Sequence, residues 1–208
     1  ANPIEIYEYS DMIEYMSNSM TGINIGYDFL EGQQLNFQIL NSLNGPFSET
    51  YNFNPLLMEA LNVEASKLPL VYTLNWNGNF NDVFKTRWSA SIMSQAKGEN
   101  LYYFALGNEL TLGKFNMYLD FMYSNDAIDR GGIITEIRGL ELLGHNAYNT
   151  SYMSLVTKLN YRFADKWNVF VKGMYETASV TEESELVAEG KYRTSLGYLG
   201  GIEYYPME

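Results

Sequence analysis

Residues 101–124 read LYYFALGNELTLGKFNMYLDFMYS, two runs in which large apolar side chains alternate with small or polar ones. Tyr102, Phe104 and Leu106 share one set of alternate positions in the first run, as Phe115 and Phe121 do in the second. Successive side chains of a β-strand point to opposite faces, so each run predicts a strand with one apolar and one polar face.

The same alternation recurs along the chain and predicts nine strands. Their predicted bounds are 20–29, 33–41, 69–77, 82–95, 101–112, 114–124, 151–163, 167–178 and 191–205. Short turns follow the first, third, fifth and seventh strands, while three of the four connections at the opposite ends are long. This layout is typical of an outer-membrane barrel with tight periplasmic turns and large outer loops, and it differs from a sandwich with Greek-key crossings. We therefore predict an all-β, transmembrane antiparallel β-barrel.

The composition excludes several classes of function. The chain has 208 residues, no cysteine and one histidine, so it offers neither a disulfide framework nor a Cys-based or His-rich metal site. Its net charge of −12 opposes the phosphate backbone of nucleic acids. No apolar run approaches the roughly 18 residues of a membrane-spanning helix. We predict no cofactor, no catalysis and no nucleic-acid partner.

Acidic residues concentrate in the predicted outer segments. These segments, 1–18, 42–68, 96–100, 125–150 and 179–190, carry 16 acidic residues against four basic ones, which equals the net charge of the chain. The polar strand faces carry nearly balanced charges, and the apolar faces carry almost none. A Lys or Arg facing lipid at mid-bilayer would cost about 2–4 kcal/mol. The charge pattern therefore favours loops in water and an apolar face in lipid.

Aromatic residues cluster at the predicted strand ends, as expected for the girdles at a membrane–water boundary. Those at the periplasmic ends are Tyr27, Phe29, Trp76, Phe84, Phe115, Tyr161, Phe163, Trp167 and Tyr204. Those at the outer ends are Tyr102, Tyr123, Tyr152 and Tyr175. The alternative explanation is the general preference of aromatic residues for strands.

Charged residues on the polar strand faces are the candidate pore lining, because a charged wall in a narrow pore selects ions. They are Lys85, Arg87, Lys158, Arg162, Lys172, Arg193, Glu109, Asp120 and Glu176. The alternative is that the basic residues pair with the acidic ones across strands and only stiffen the wall.

The predicted loops contain three weaker signals. His145 is expected to be solvated or packed within its loop. Asp126 and Asp129, and the acidic run 182–185, could bind calcium or simply form solvated acidic loops, since neither has EF-hand spacing. Residues 54–61 predict a short helix that begins with Asn-Pro and either constricts the pore or covers its neighbours as a lid.

The chain is predicted to be a single porin-like domain over residues 1–208, incomplete at both ends. Its first 18 residues fall on the outer side, its ninth strand ends on the periplasmic side, and a complete bacterial barrel has an even strand number with both termini in the periplasm. The alternative is a further strand within residues 1–18.

Several stretches resemble the phosphate-selective porin O and P family. They are TGINIGYDFL (21–30), LVYTLNWNG (70–78), FKTRWS (84–89), ALGNELTLGKF (105–115), DRGGIITE (129–136), KWNVFVKGMYETASV (166–180) and KYRTSLGYLGGIEYYPM (191–207). The resemblance spans most of the chain. It implies a 16-stranded pore of the outer membrane, a homotrimer, in which an inward-folded loop narrows the channel and basic side chains attract anions.

The sequence therefore predicts an outer-membrane porin with extracellular loops, a passive diffusion channel for small hydrophilic solutes or anions, phosphate among them. Its expected partners are the lipid bilayer, these solutes and further copies of itself. Two alternatives stay open: a secreted soluble β-sandwich that binds carbohydrate through exposed aromatics, and a barrel that serves as an anchor or receptor through its outer loops.

Overall fold

The computed structural model describes residues 22–41, 66, 70–81, 83–94, 97–129 and 132–206, in which nine strands lie. The strands are β1 (Gly22–Leu30), β2 (Gln33–Asn41), β3 (Leu70–Phe80), β4 (Phe84–Met93), β5 (Leu101–Leu112), β6 (Phe115–Asp126), β7 (Thr150–Ala164), β8 (Trp167–Val180) and β9 (Gly190–Tyr204). A helix, α1 (Ile133–Ile137), and a 3₁₀ helix (Leu140–Leu143) lie between β6 and β7. Within these ranges, neither helix has the length and apolar character needed to cross a membrane.

All nine strands belong to one sheet, in chain order from β1 to β9. Every neighbouring pair is antiparallel. The predicted strand bounds differ from the observed ones by at most three residues. A β-sandwich would divide its strands between two packed sheets, so this single sheet is incompatible with the sandwich alternative.

Two kinds of connection separate the two ends of the sheet. The turns after β1, β3, β5 and β7 are short, and we call this side the short-turn end; the opposite side is the long-connection end. Gly113, with φ of 58°, opens the two-residue turn between β5 and β6, and Gly32, with φ of 70°, lies in the turn between β1 and β2. Positive φ matches the twist of tight hairpins and costs glycine little, so these turns pair each strand with the next one along the chain.

The alternation of side chains gives the sheet two different faces. One face is apolar and exposed: Leu74, Val171 and Tyr198 belong to it, and Tyr198 is 93% exposed. The polar faces of β1 to β8 border a common cavity of about 930 Å³. The polar face is therefore the concave one, and the apolar face points outward.

Aromatic rings lie on the outward face near the short-turn end, as the sequence predicts for a girdle. Trp76 and Trp88 meet edge to face with ring centroids 5.0 Å apart, and Trp167 lies 4.7 Å from Tyr204. The indole N–H of Trp76 donates to Oε1 of Gln33 at 2.9 Å. This contact satisfies a polar group on an otherwise apolar surface.

Candidate functional site

Six of the nine predicted pore-lining residues border the cavity on the polar face. They are Lys85, Arg87, Glu109, Asp120, Lys158 and Lys172. Four of them come together because the strand registers align them: Lys85 lies opposite Glu109, and Lys158 lies opposite Lys172, with Tyr118 between Glu109 and Lys158. One row of directly opposed side chains thus crosses five strands.

The other three predicted residues lie elsewhere. Nε and Nη2 of Arg162 donate to the carbonyl oxygen of Asp165 in the β7–β8 turn, at 3.0 and 2.5 Å. Arg193 is exposed near the long-connection end and donates through Nε to Oγ of Ser195. Glu176 is buried on the polar face of β8. None of these three borders the cavity.

Lys158 forms a cross-strand ion pair, as the alternative interpretation of the basic residues predicts, but its partner Glu203 is not among the predicted acidic residues. Its ammonium lies 3.7 Å from Oε1 of Glu203 on β9. The same ammonium lies 4.9 Å from the ring centroid of Phe170, and the ammonium of Lys172 lies 5.6 Å from that centroid. Phe170 therefore carries two cations near its ring, which cation–π attraction favours.

Glu109 is held in place by the neighbouring strand. Its Oε1 accepts hydrogen bonds from Nδ2 of Asn116 at 3.0 Å and from the hydroxyl of Tyr118 at 3.1 Å. Both donors lie on β6, where Tyr118 is directly opposite Glu109. These two hydrogen bonds hold the carboxylate of Glu109 on the β5–β6 hairpin, where it borders the cavity.

The polar face becomes apolar toward the long-connection end. Val71, Met93 and Leu101 lie opposite one another across β3, β4 and β5, and all three are buried. They form one cluster with Tyr103 and Met174, among others. The inner face is therefore not polar along its whole length, because these side chains bury one another at this end.

The connection between β6 and β7 folds onto the same concave face at this end. Ile134 of α1, Leu140 of the 3₁₀ helix and Ala147 form a buried cluster with Tyr152 and Ala178 of the wall. Tyr152 lies opposite Ala178 in the register, and both occupy polar-face positions. The β6–β7 connection therefore narrows the concave space. The helix predicted for residues 54–61, the candidate constriction, lies outside the described residues.

Asp129 fixes this connection to the wall. Its carboxylate accepts hydrogen bonds from the backbone N–H of Thr135 at 2.8 Å, the hydroxyl of Thr135 at 2.5 Å, the hydroxyl of Thr150 at 3.5 Å, and the hydroxyl of Tyr152. Asp129 is 1% exposed and Asp126 is fully buried. We call the four hydrogen bonds the Asp129 network.

The Asp129 network corrects two sequence predictions. Asp126 and Asp129 do not form a solvated acidic loop, since both are buried. The described residues contain no group of three or more His, Cys, Asp or Glu placed for a metal ion. Tyr152 does not belong to the outward aromatic girdle, because its position in the strand points it inward to Asp129. The second acidic run behaves as a solvated loop: Glu182 and Glu185 are exposed.

Two further residues of the connection lie near water. His145 is exposed, as the sequence predicts. Partial burial, together with the charge of Glu99, raises the pKa of Tyr148 above its usual value. Tyr148 is therefore neutral at physiological pH.

Sequence reasoning missed several residues that border the cavity. Asp28 and Glu31 contribute acidic groups from β1 and its turn, and Gly107 lies between Arg87 and Asp120, with Oδ1 of Asp120 over it. The alternation of side chains along β1 already places Asp28 on the polar face. The role of Gly107 depends on the register of three strands, which no single run of residues specifies.

Comparisons with known proteins assign the family. The family model of the phosphate-selective porins O and P matches residues 1–208. Among solved structures, OmpT folded in vitro, an outer membrane protein of Vibrio cholerae, matches with a TM-score of 0.44 and 7% identity, over 90% of this chain and 56% of that one. No curated protein matches the sequence. Because the family match covers the whole length given, the predicted family and its porin fold are confirmed, and the chain belongs to the phosphate-selective porin O and P family.

Proposed function

We propose that this chain lines a passive diffusion channel of the outer membrane for small hydrophilic solutes. The observation that carries the proposal is the cavity of about 930 Å³, which the polar faces of eight consecutive strands border while the opposite faces expose apolar side chains. In porins, alternate residues of each strand face lipid and lumen in this way, and the lumen is filled with water.

Four acidic and four basic residues border the cavity, so its formal charge is balanced. Phosphate is the solute in the name of the family, and it is one candidate solute for this channel. The acidic half of the lining weakens an anion preference, because each carboxylate repels a passing anion. We therefore propose weak ion selectivity, which competition of phosphate with a chloride current would test.

We also propose that the long-connection end faces the cell exterior and that three copies assemble in the membrane. The acidic connections at that end support this orientation, since large, charged loops of porins lie outside. Labelling of a single cysteine at Glu183 on intact cells would test the orientation. Chemical cross-linking in native membranes would test the trimer.

Single-channel recording of the full-length protein in a planar bilayer tests the channel itself. We expect stable conductance steps and a reversal potential near zero under a potassium chloride gradient. A correctly folded, membrane-inserted protein that gives no steps would contradict the proposal and favour a receptor or anchor that acts through its outer loops.

A further inference from the structure

The charged residues that border the cavity form bands that alternate in sign around the wall. Asp28 and Glu31 make an acidic band at β1 and its turn. The facing residues of β2 and β3 that follow are uncharged and polar, Gln34 and Asn77 among them. Lys85, together with Arg87 two residues later on β4, then makes a basic band.

The alternation continues on the next strands. Glu109 on β5 and Asp120 on β6 make a second acidic band, and Lys158 on β7 and Lys172 on β8 make a second basic one. Adjacent strands lie about 4.8 Å apart, so the first band is roughly 14 Å from the second, and the centres of the last three bands are separated by roughly 7–10 Å. That separation is close to the Debye length of about 8 Å at physiological ionic strength. A small solute therefore senses each band separately and not their average.

Gly107 lies between two of the bands. In the register it lies between Arg87 on β4 and Asp120 on β6. A Cβ atom at this position would come within 3.2 Å of Oδ1 of Asp120 and 3.4 Å of the carbonyl oxygen of Arg87. The carboxylate of Asp120 thus lies over Gly107, and Arg87 and Asp120 are the neighbours of Gly107 on the adjacent strands.

The Arg87 side chain lies on the β3 side of its band and borders the cavity. Its Nε donates to Oδ1 of Asn77 at 3.2 Å, which holds the side chain against β3. A guanidinium has four further N–H groups, and two of them suit bidentate contact with a carboxylate.

We propose that this cavity passes small zwitterions of the amino-acid class faster than anions or cations of the same size. The proposal rests on the channel function proposed above. An anion attracted by Arg87 is repelled by the acidic band beside it. A cation attracted by that acidic band is repelled by Arg87. A solute that carries both a carboxylate and an ammonium orients each charge toward the band of opposite sign, so both bands attract it.

Tracer uptake into proteoliposomes at equal salt on both sides tests this proposal. The four solutes have nearly the same size. Serine is the zwitterion; in glycerate, the anion, a hydroxyl replaces the ammonium of serine. In serinol, the cation, a hydroxymethyl group replaces the carboxylate, and in glycerol, which is neutral, both groups are replaced. Empty vesicles give the leak to subtract. We expect serine to enter about threefold faster than glycerate or serinol, the scale of one partly exposed ion pair. Equal rates for serine and glycerate, or faster entry of glycerate, would overturn the zwitterion preference.

Two double variants assign the preference to the bands. E109Q/D120N removes an acidic band with little change of shape, so we expect serine to lose its advantage and glycerate to gain. K85Q/R87Q should have the opposite effect and favour serinol. The control is K114Q, which removes an exposed lysine in the β5–β6 turn that does not border the cavity. An unchanged order of rates in both double variants would overturn the assignment.

The channel proposal fails in a different way. If no solute enters faster than it enters empty vesicles, although the protein is folded and inserted, the channel function itself is wrong. If all four solutes enter at rates set by size alone, the channel stands and the zwitterion preference is wrong.

Discussion

Asp129 joins the β6–β7 connection to the barrel wall through the four hydrogen bonds of the Asp129 network. Replacement by alanine would leave several buried donors without this acceptor, which costs about 2–4 kcal/mol. We expect D129A to release the connection from the wall. Proteolytic cleavage between residues 132 and 149 should then become more than about tenfold faster, since about 1.4 kcal/mol corresponds to a factor of ten.

The matched control for D129A is E136Q. Glu136 is an exposed acidic residue of α1 in the same connection, and its substitution removes a charge without a buried partner. Limited proteolysis of the two variants in detergent should separate them. Equal cleavage rates for D129A, E136Q and the native protein would show that the apolar cluster alone holds the connection.

Gly201 provides a second prediction at the level of a single residue. A Cβ atom at Gly201 would lie 2.8 Å from Cε1 and Cζ of Phe170. The ring must then move from its place near Lys158 and Lys172. We expect G201A to lower the free energy of unfolding by about 1–3 kcal/mol, the usual range for overpacking.

Gly173 is the comparison position for this measurement. A Cβ atom there meets only Cγ2 of Thr157, at 3.7 Å, which is an ordinary contact. Denaturant unfolding in detergent should therefore show a smaller loss for G173A than for G201A. A loss for G173A as large as that for G201A would contradict the steric explanation.

The predictability of single positions follows from the period of the strand. Parity alone placed Lys85 and Glu109 on the polar face, because one residue in two points to each side. Parity could not identify Glu203 as the partner of Lys158, since these residues are 45 positions apart and meet only through the β7–β8 and β8–β9 registers.

The β6–β7 connection is the element whose removal should change conductance most clearly. It lies on the concave face at the long-connection end, where Ile134 and Leu140 pack on the wall. We expect replacement of residues 132–146 by a short Gly-Ser linker to raise the single-channel conductance in 1 M potassium chloride, because the linker occupies less of the passage.

The control for this deletion changes charge and leaves the volume almost unaltered. In E182Q/E183Q/E185Q, three exposed acids of the β8–β9 connection become neutral. At 1 M salt the Debye length is about 3 Å, so we expect the conductance of this variant to equal that of the native protein. Native conductance in the shortened chain would show that the connection lies outside the current path.

Elements were predictable where the pattern is long and regular. The strands carry an alternation over nine or more residues, and their bounds were predicted within three residues. The inward fold of the β6–β7 connection was not predictable, because it depends on contacts of α1 with the distant wall residues Tyr152 and Ala178. The same holds for the burial of Asp126 and Asp129, whose sequence pattern is that of an ordinary acidic loop.

For the whole molecule, position relative to the cavity should decide which basic residues set ion selectivity. Lys85 and Arg87 border the cavity, whereas Arg162 does not. Arg162 instead donates a hydrogen bond to the carbonyl oxygen of Asp165 in a turn. We expect K85Q/R87Q to shift the reversal potential under a salt gradient toward that of a cation-selective pore. R162Q should leave the reversal potential unchanged.

Reversal potentials at 0.1 M salt and below are the suitable measurement, because screening is weak there. A shift in R162Q equal to that of K85Q/R87Q would mean that the short-turn end controls the ion path. No shift in either variant would mean that backbone and uncharged groups dominate selectivity.

The order of the strands has a consequence for how the protein folds. Each strand pairs only with the strands before and after it in the chain, so no pairing among the nine described strands joins distant parts of the sequence, and the contact order is low for a β protein. The β5–β6 hairpin closes over two residues, while β2 and β3 must close the longer segment between Asn41 and Leu70. Closing a longer loop costs more chain entropy. Insertion can therefore proceed by adding hairpins in sequence, with the pairing of β2 and β3 as its slowest local step.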